Sequence, residues 1–242
     1  MRERNPKRRE GGSTGKNPVG PPSRVICLTL LLLLTACAAP TPERIRLSPA
    51  DPIWWLEGGE QSLVTPRMTD LTAPLRRRSD LDTVRRVMRL IWRHHYYDTR
   101  RIETILVRTA DQLLDESPLG GCSDFALVHV ALFRAAGLPA RLVVTADASW
   151  LRQYPLDHIG TTRGHTFVEV WADQRWYLVD PAWFHIIADY DPGWSCYPRD
   201  QAYFARGRDF WDMGIRDTDD LNRVLREFSQ RYAGTCQAPV FT

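Results

Sequence analysis

Beyond residue 16 the chain has no lysine, and it lacks several features that would place it in a familiar class. No basic tract follows the N-terminal region, so nothing speaks for nucleic-acid binding. No internal repeat is visible. No pair of histidines or cysteines has metal-ligand spacing with a suitable partner, so neither a metal nor another cofactor is expected. Long apolar runs are missing as well. Val25 to Leu34 is unbroken apart from Thr29, and ten residues are too few to span a bilayer as a helix. Cysteine is scarce, five in 242 residues.

What is present begins with a leader. The first 24 residues carry seven basic and two acidic side chains, with Pro and Gly scattered among them. The short apolar run follows and ends in Leu34-Thr35-Ala36-Cys37. A basic region, a short apolar core and small residues at a cut site form a secretory signal over residues 1–36. Its ending resembles the bacterial lipoprotein signal, in which the cysteine becomes the lipidated first residue. The resemblance implies lipid on Cys37 and anchorage in the cell envelope. Ala38 is not the acidic residue that marks inner-membrane retention, which points to the periplasmic face of the outer membrane. An ordinary signal peptide is the alternative, and translation could begin nearer Val19. The whole chain carries +3 and the leader +5, leaving about −2 for the remainder with neutral His.

Compartment sorts the cysteines. Cys27 is discarded with the leader and Cys37 carries lipid. Cys122, Cys196 and Cys236 remain in an oxidising space. An odd count leaves one thiol free or paired with another chain. Cys196 and Cys236 lie among loop signals in the C-terminal third and are the natural disulfide pair. Pairing of Cys122 with either of them is the alternative, and would make that thiol structural.

Residues 37–79, with prolines at 40, 42, 49, 52, 66 and 74, read as a tether and N-terminal extension, with Trp54 and Trp55 docking on the body. The domain proper is expected over 80–242. Leu81, Val84, Val87, Met88, Ile91 and Trp92 have the spacing of one buried helix face, with Asp80 as N-cap. Further helices are expected near 102–114, over 122–136 and over 218–232. Residues 141–145 read as a strand and 146–163 as a polar loop. Alternation over 165–171 and 176–180 predicts two strands joined by a turn at 172–175. Helices first and an antiparallel sheet later make an α+β domain.

Cys122 stands in "LGGCSDFALVHVALF", residues 119–133. A thiol in the first turn of a helix meets the positive end of the helix dipole and N–H groups without helical partners. Both favour thiolate, the nucleophilic form. Gly120 and Gly121 are expected to let the backbone turn sharply and leave room for a substrate. Free cysteine also packs as a small buried hydrophobe, so the company of the thiol decides. His165 opens a strand after Gly164, and Asp180 closes the next before Pro181. A hairpin would bring both to one sheet end, giving nucleophile, base and base-orienting acid.

These pieces resemble the transglutaminase-like core, a branch of the papain-like cysteine enzymes. The family pattern is a glycine-rich turn, Cys, an acid two residues on, Ala four on, then Arg and a Gly-Leu/Ile-Pro-Ala-Arg exit. A strand of the type His-aromatic-Val-Glu-Val follows, then Asp-Pro after a Trp-containing strand. The chain has Gly120-Gly121-Cys122, Asp124, Ala126, Arg134 and Gly137-Leu138-Pro139-Ala140-Arg141. It then has Gly164-His165-Thr166-Phe167-Val168-Glu169-Val170-Trp171, and Trp176-Tyr177-Leu178-Val179-Asp180-Pro181. Thr166, ahead of the aromatic, is a departure. The match covers residues 120–183, about a quarter of the chain.

The resemblance implies a papain-like α+β fold with N-terminal helices on an antiparallel sheet. It implies catalytic roles for Cys122, His165 and Asp180, and structural ones for Asp124 and Arg141. Relatives include peptidases, amidases and transglutaminases, so acyl transfer through a thioester is expected. Hydrolysis of a peptide or protein substrate in the cell envelope is the first expectation. A cross-linking acyltransferase and a non-catalytic binding module are the alternatives. The absence of lysine suits an enzyme that cannot link itself by isopeptide bonds. A lysine-poor, arginine-rich coding composition produces it equally well.

One family element is missing, a polar side chain shortly before the Cys to complete the oxyanion hole. Gln112, Glu116 and Ser117 are unconvincing matches, so the Cys122 N–H is one donor and the second is unassigned. The loop 146–163, with Trp150, Tyr154 and His158, is expected to fold over one side of the cleft and narrow it to water and small acceptors. His129 is two turns along from Cys122, about 10 Å, too far to act as its base. His94 and His95 are read as packing or surface residues, and His185 is given no role.

Overall fold

The computed structural model describes residues 48–157, 161–234 and 236. Cys37 and His158 lie outside the described residues, so the lipid anchor and that part of the loop are expectations only.

Residues 52–75 are more ordered than a tether. A 3-10 turn at Pro52–Leu56 is followed by helix α1, Pro66–Thr72, and Trp55 and Met68 are buried. α2, Asp80–His94, buries Val84, Val87, Met88 and Ile91, the stripe read from the spacing. Its N-cap is Ser79 rather than Asp80, because the Ser79 hydroxyl accepts from the Asp82 N–H.

The helix expected near 102–114 breaks into pieces. A two-residue strand β1, Tyr96–Tyr97, leads into a 3-10 turn at Thr99–Thr104 capped by Asp98, and Leu106 then adopts φ 73°. α3 starts only at Ala110 and runs to Asp115. Thr109 and Gln112 form a reciprocal capping box that fixes that start. β2, Pro118–Leu119, pairs parallel with β1.

α4, Cys122–Ala135, is apolar almost all round, and every residue after Cys122 is buried. Such a helix has to be enclosed. α1, α2 and α3 cover it on one side and the main sheet on the other. Arg134 near its end is buried and donates to the carbonyls of Trp55, Ala140 and Arg208 and to the Ser62 hydroxyl. That guanidinium ties the N-terminal extension to the core.

The main sheet contains β3, Ala140–Asp147, β4, Gly164–Ala172, and β5, Arg175–Asp180. It also contains β6, His185–Ile187, β7, Cys196–Tyr197, and β8, Gln201–Gly207, none of which the sequence pattern announced. The order is β6-β5-β4-β3-β8-β7, with every neighbouring pair antiparallel. β4 and β5 form the expected hairpin. Asp173 and Gln174 both take positive φ, 45° and 65°, as a twist-matched two-residue turn requires. Val144, Val168, Val170 and Val179 face α4, whereas Val143, Phe167, Leu178 and Tyr197 form a second core on the other face.

The polar loop expected over 146–163 is a correction. α5, Ala148–Asp157, occupies its first part, with Pro155 inside it. The Asp147 carboxylate accepts from the Trp150 N–H and starts the helix. Trp150, Leu151 and Tyr154 then share a helical face and bury against Leu225 of α6, Thr218–Arg231. Cys196 and Cys236 form the expected disulfide, 40 residues apart, with Cα atoms 5.2 Å apart. Cys122 is free.

Candidate active site

The tight approach of three backbones makes the site. Gly120 packs against the 3-10 turn, and a Cβ there would come within 2.5 Å of the Arg101 carbonyl oxygen. Gly121, the N-cap of α4, has extended backbone that any residue adopts, so only one of the two glycines is sterically required. Gly164 meets β3 just as closely: its Cβ would lie 2.3 Å from the Thr145 carbonyl oxygen. His165, the second residue of β4, is therefore held close against β3.

The structure brings Cys122, His165 and Asp180 together. His165 Nε2 lies 3.0 Å from Asp180 Oδ1. The half-buried Cys122 thiol interacts with this imidazole and with the Thr166 backbone. Burial alone would push the thiol up. The His165 hydrogen bond and charge, with Thr166, outweigh it and hold the thiol below its ordinary value. Burial pulls the imidazole down, but Asp180 and Cys122 hold it at about 9. Each group favours the charged form of the other, so the pair tends to thiolate and imidazolium at neutral pH. The dipole of α4 adds to this, since Cys122 is its first residue.

A residue that sequence reasoning missed completes the set. Arg199 donates through Nη2 to Asp180 Oδ2, the oxygen that His165 leaves unused, and that nitrogen is 3.5 Å from His165 Nε2. Its guanidinium also lies over Trp183, 5.1 Å from the ring centre. Arg199 takes φ 64° in the turn between β7 and β8, 19 residues beyond Asp180. No local motif marks such a residue; only the strand order brings it to the site.

Asp124 and Arg141 have structural contacts, as the resemblance implied. The Asp124 carboxylate accepts from the Gly120 N–H and from Arg108, each at 2.9 Å, and fixes the turn before Cys122. Arg141 is held between the Trp55 and Trp176 rings and bonds the buried Glu169, which Arg206 and Tyr190 also bond. The Gln112 oxygen serves the α3 cap, and Glu116 pairs with Arg101 and Arg108. Ser117 accepts from Tyr96 through its carbonyl. His129 is buried with Nδ1 2.7 Å from the Phe125 oxygen, and His94 and His185 are exposed.

Trp150 and Tyr154 do not line the cleft. Both rings are buried against α6 because their helical spacing gives them a core of their own. The described aromatic residues that are exposed are Trp92, Tyr96, Tyr97, Trp183 and Phe184. Trp92 donates to the Pro181 carbonyl beside Asp180, and Tyr97 pairs with Leu119 ahead of Cys122. They belong to the segments that flank the three side chains.

No curated protein matches the chain. Among solved structures, a candidate cysteine protease from Cytophaga hutchinsonii is similar with a TM-score of 0.50 at 18% identity, covering 71% of this chain and 51% of that one. This chain thus spans about half the length of that protein. A candidate protease from Parabacteroides distasonis gives a TM-score of 0.37 at 13% identity, over 53% of this chain and 25% of that one. A protein described as a TGase gives 0.38 at 15% identity, over 80% and 54%. The family model of the transglutaminase-like superfamily matches residues 69–181, a span that holds all three converging side chains. Residues 69–181, with their helices, antiparallel strands and cysteine-led central helix, thus match the transglutaminase-like family model and resemble a transglutaminase-like domain.

Proposed function

We propose that the protein is a cysteine hydrolase of peptide or amide bonds, working at the bacterial cell envelope from a lipid anchor on Cys37. The observation that carries this reading is the convergence of Cys122, His165 and Asp180, with His165 Nε2 3.0 Å from Asp180 Oδ1 and the imidazole holding the thiol below its ordinary value. The Cys122 thiolate attacks the carbonyl carbon, and a C–S bond forms as the carbonyl opens to an oxyanion. The Cys122 N–H, free of helical partners at the start of α4, is the donor at hand for that charge. His165 gives its proton to the leaving amine as the C–N bond breaks, leaving a thioester. Neutral His165 then takes a proton from water, whose oxygen attacks the thioester carbonyl. The C–S bond breaks, the acid departs and the thiolate–imidazolium pair returns. Asp180 orients the ring throughout.

Transfer of the acyl group to an amine is the second reading. One observation favours it: the Trp150 and Tyr154 rings, expected to narrow the cleft against a larger acceptor, are buried in a cluster with Leu225 of α6. Labelling of the purified protein with a thiol-directed probe, followed by peptide turnover with and without added amine, separates the readings. Cys122 labelling with acid as the main product supports hydrolysis, and an amine-linked product supports the second reading. Absence of both labelling and turnover would leave a binding module. Cys37→Ser should move the protein from the membrane fraction to the soluble one.

A further inference from the structure

A groove of about 380 Å³ lies between α2 and the outer strands β5 and β6. Leu81, Met88, Tyr177 and Phe184 are among the residues that line it, and Arg85 and Arg89 stand along it. The α2 residues involved follow one helical stripe, and the same stripe continues to Trp92. Trp92 meets Phe184 edge-on, with ring centres 5.6 Å apart, and donates to the carbonyl of Pro181. Pro181 is the neighbour of Asp180. The Phe184 end of the groove is thus linked through Trp92 to Pro181, beside the His165–Asp180 end of the site.

Two features distinguish it from a packing defect. Arg89 has no acidic partner among the described residues, and the only one of Arg85 is Asp82, in an exposed pair that contributes little. Beside them, Arg175 stacks on Tyr177 at 4.6 Å and adds a third cation. Phe184 takes φ 54°, a left-handed conformation that a bulky residue adopts at a cost and that is over-represented at binding sites. Its ring lines the groove and meets Trp92.

We infer that this groove binds an extended acidic segment of the substrate, its apolar side chains on the floor and its carboxylates on Arg85 and Arg89. The inference rests on the proposed function for the chemistry it serves, and on the groove alone for the charge it selects. The volume suits a few residues rather than a folded partner.

Peptidyl fluoromethyl ketones that share one apolar residue but carry Glu, Gln or Arg flanks, used on the intact protein, test it. Two exposed charge contacts, each worth a factor of about two to five, predict inactivation of Cys122 about tenfold faster with Glu than with Gln flanks. Arg flanks should be slowest, and raised salt should flatten the order. The double exchange Arg85→Glu and Arg89→Glu should reverse the order while leaving iodoacetamide alkylation of Cys122 unchanged. Equal rates for acidic and basic probes, or an order that survives the exchange, would overturn the inference. Fluorescence anisotropy of the same peptides without the electrophile reads the groove separately. Charge selection with an inert Cys122 would thus sink the proposed chemistry alone.

Discussion

Replacing His165 with alanine removes its hydrogen bond and its charge, the two largest influences that hold the Cys122 thiol down. Burial, the largest single influence, and the negative charge of Asp180 remain, and both raise the thiol, with the Thr166 backbone and the α4 dipole opposing them. The thiol should return at least to the ordinary value of about 8.5, where about 3% is thiolate at pH 7 and about 0.3% at pH 6. A wild-type thiol that is largely ionised would hold about thirty times more at pH 7. A thiolate of lower pKa is a weaker nucleophile, so the expected ratio of alkylation rates shrinks to about tenfold. The assay is iodoacetamide alkylation from pH 5 to 10, followed by mass spectrometry. The wild-type advantage should widen as pH falls from 8, until the native thiol itself takes up a proton. Turnover has a second limit. It needs the imidazolium as acid, so it should fall as pH rises through about 9 while alkylation does not. Wild-type and variant rates that both follow a free thiol would refute the ion-pair account.

Arg199→Ala should leave the buried Asp180 carboxylate with one partner and lower turnover about tenfold, the scale seen for outer supporting groups, with partial recovery in Arg199→Lys. Unchanged kinetics would remove Arg199 from the site. His129 is buried, and burial lowers it to about 4, so below pH 6.5 the unfolded chain takes up a proton that the native state refuses. Stability is therefore lost as pH falls from 6.5 toward 4, by about 3 kcal/mol at the end of that range. His129→Leu should flatten the fall in urea unfolding, and a constant offset from wild type would contradict this. Removing the Cys196–Cys236 disulfide should cost about 4 kcal/mol for a loop of 40 residues. A change in urea midpoint corresponding to less than about 1 kcal/mol would show that the bridge constrains little.

The sequence made the site legible where chemistry and periodicity coincide. Cys122 opens an apolar helix, and two alternating strands around a two-residue turn bring His165 and Asp180 to one end. Both signals are local, and so were the loop signals around Cys196 and Cys236. The rest depended on distant partners. The 102–114 spacing looked helical, yet capping by Asp98 and Thr109 and the left-handed Leu106 divide it. Residues 148–157 looked like a loop because of Pro155, yet Trp150, Leu151 and Tyr154 find a partner in α6, 70 residues on. Arg199 reaches Asp180 only because β8 pairs with β3, a long-range choice that no motif encodes.

The central claim is that Cys122 carries the acyl group. Mild-acid quenching of the protein with a peptide thioester or activated ester, followed by intact-mass measurement and peptide mapping, tests it most directly. The account predicts one acyl group on Cys122, bound as a hydroxylamine-sensitive thioester, absent in Cys122→Ala and accumulating poorly in His165→Ala. An adduct elsewhere, or equal acylation of the Cys122→Ala protein, would contradict it.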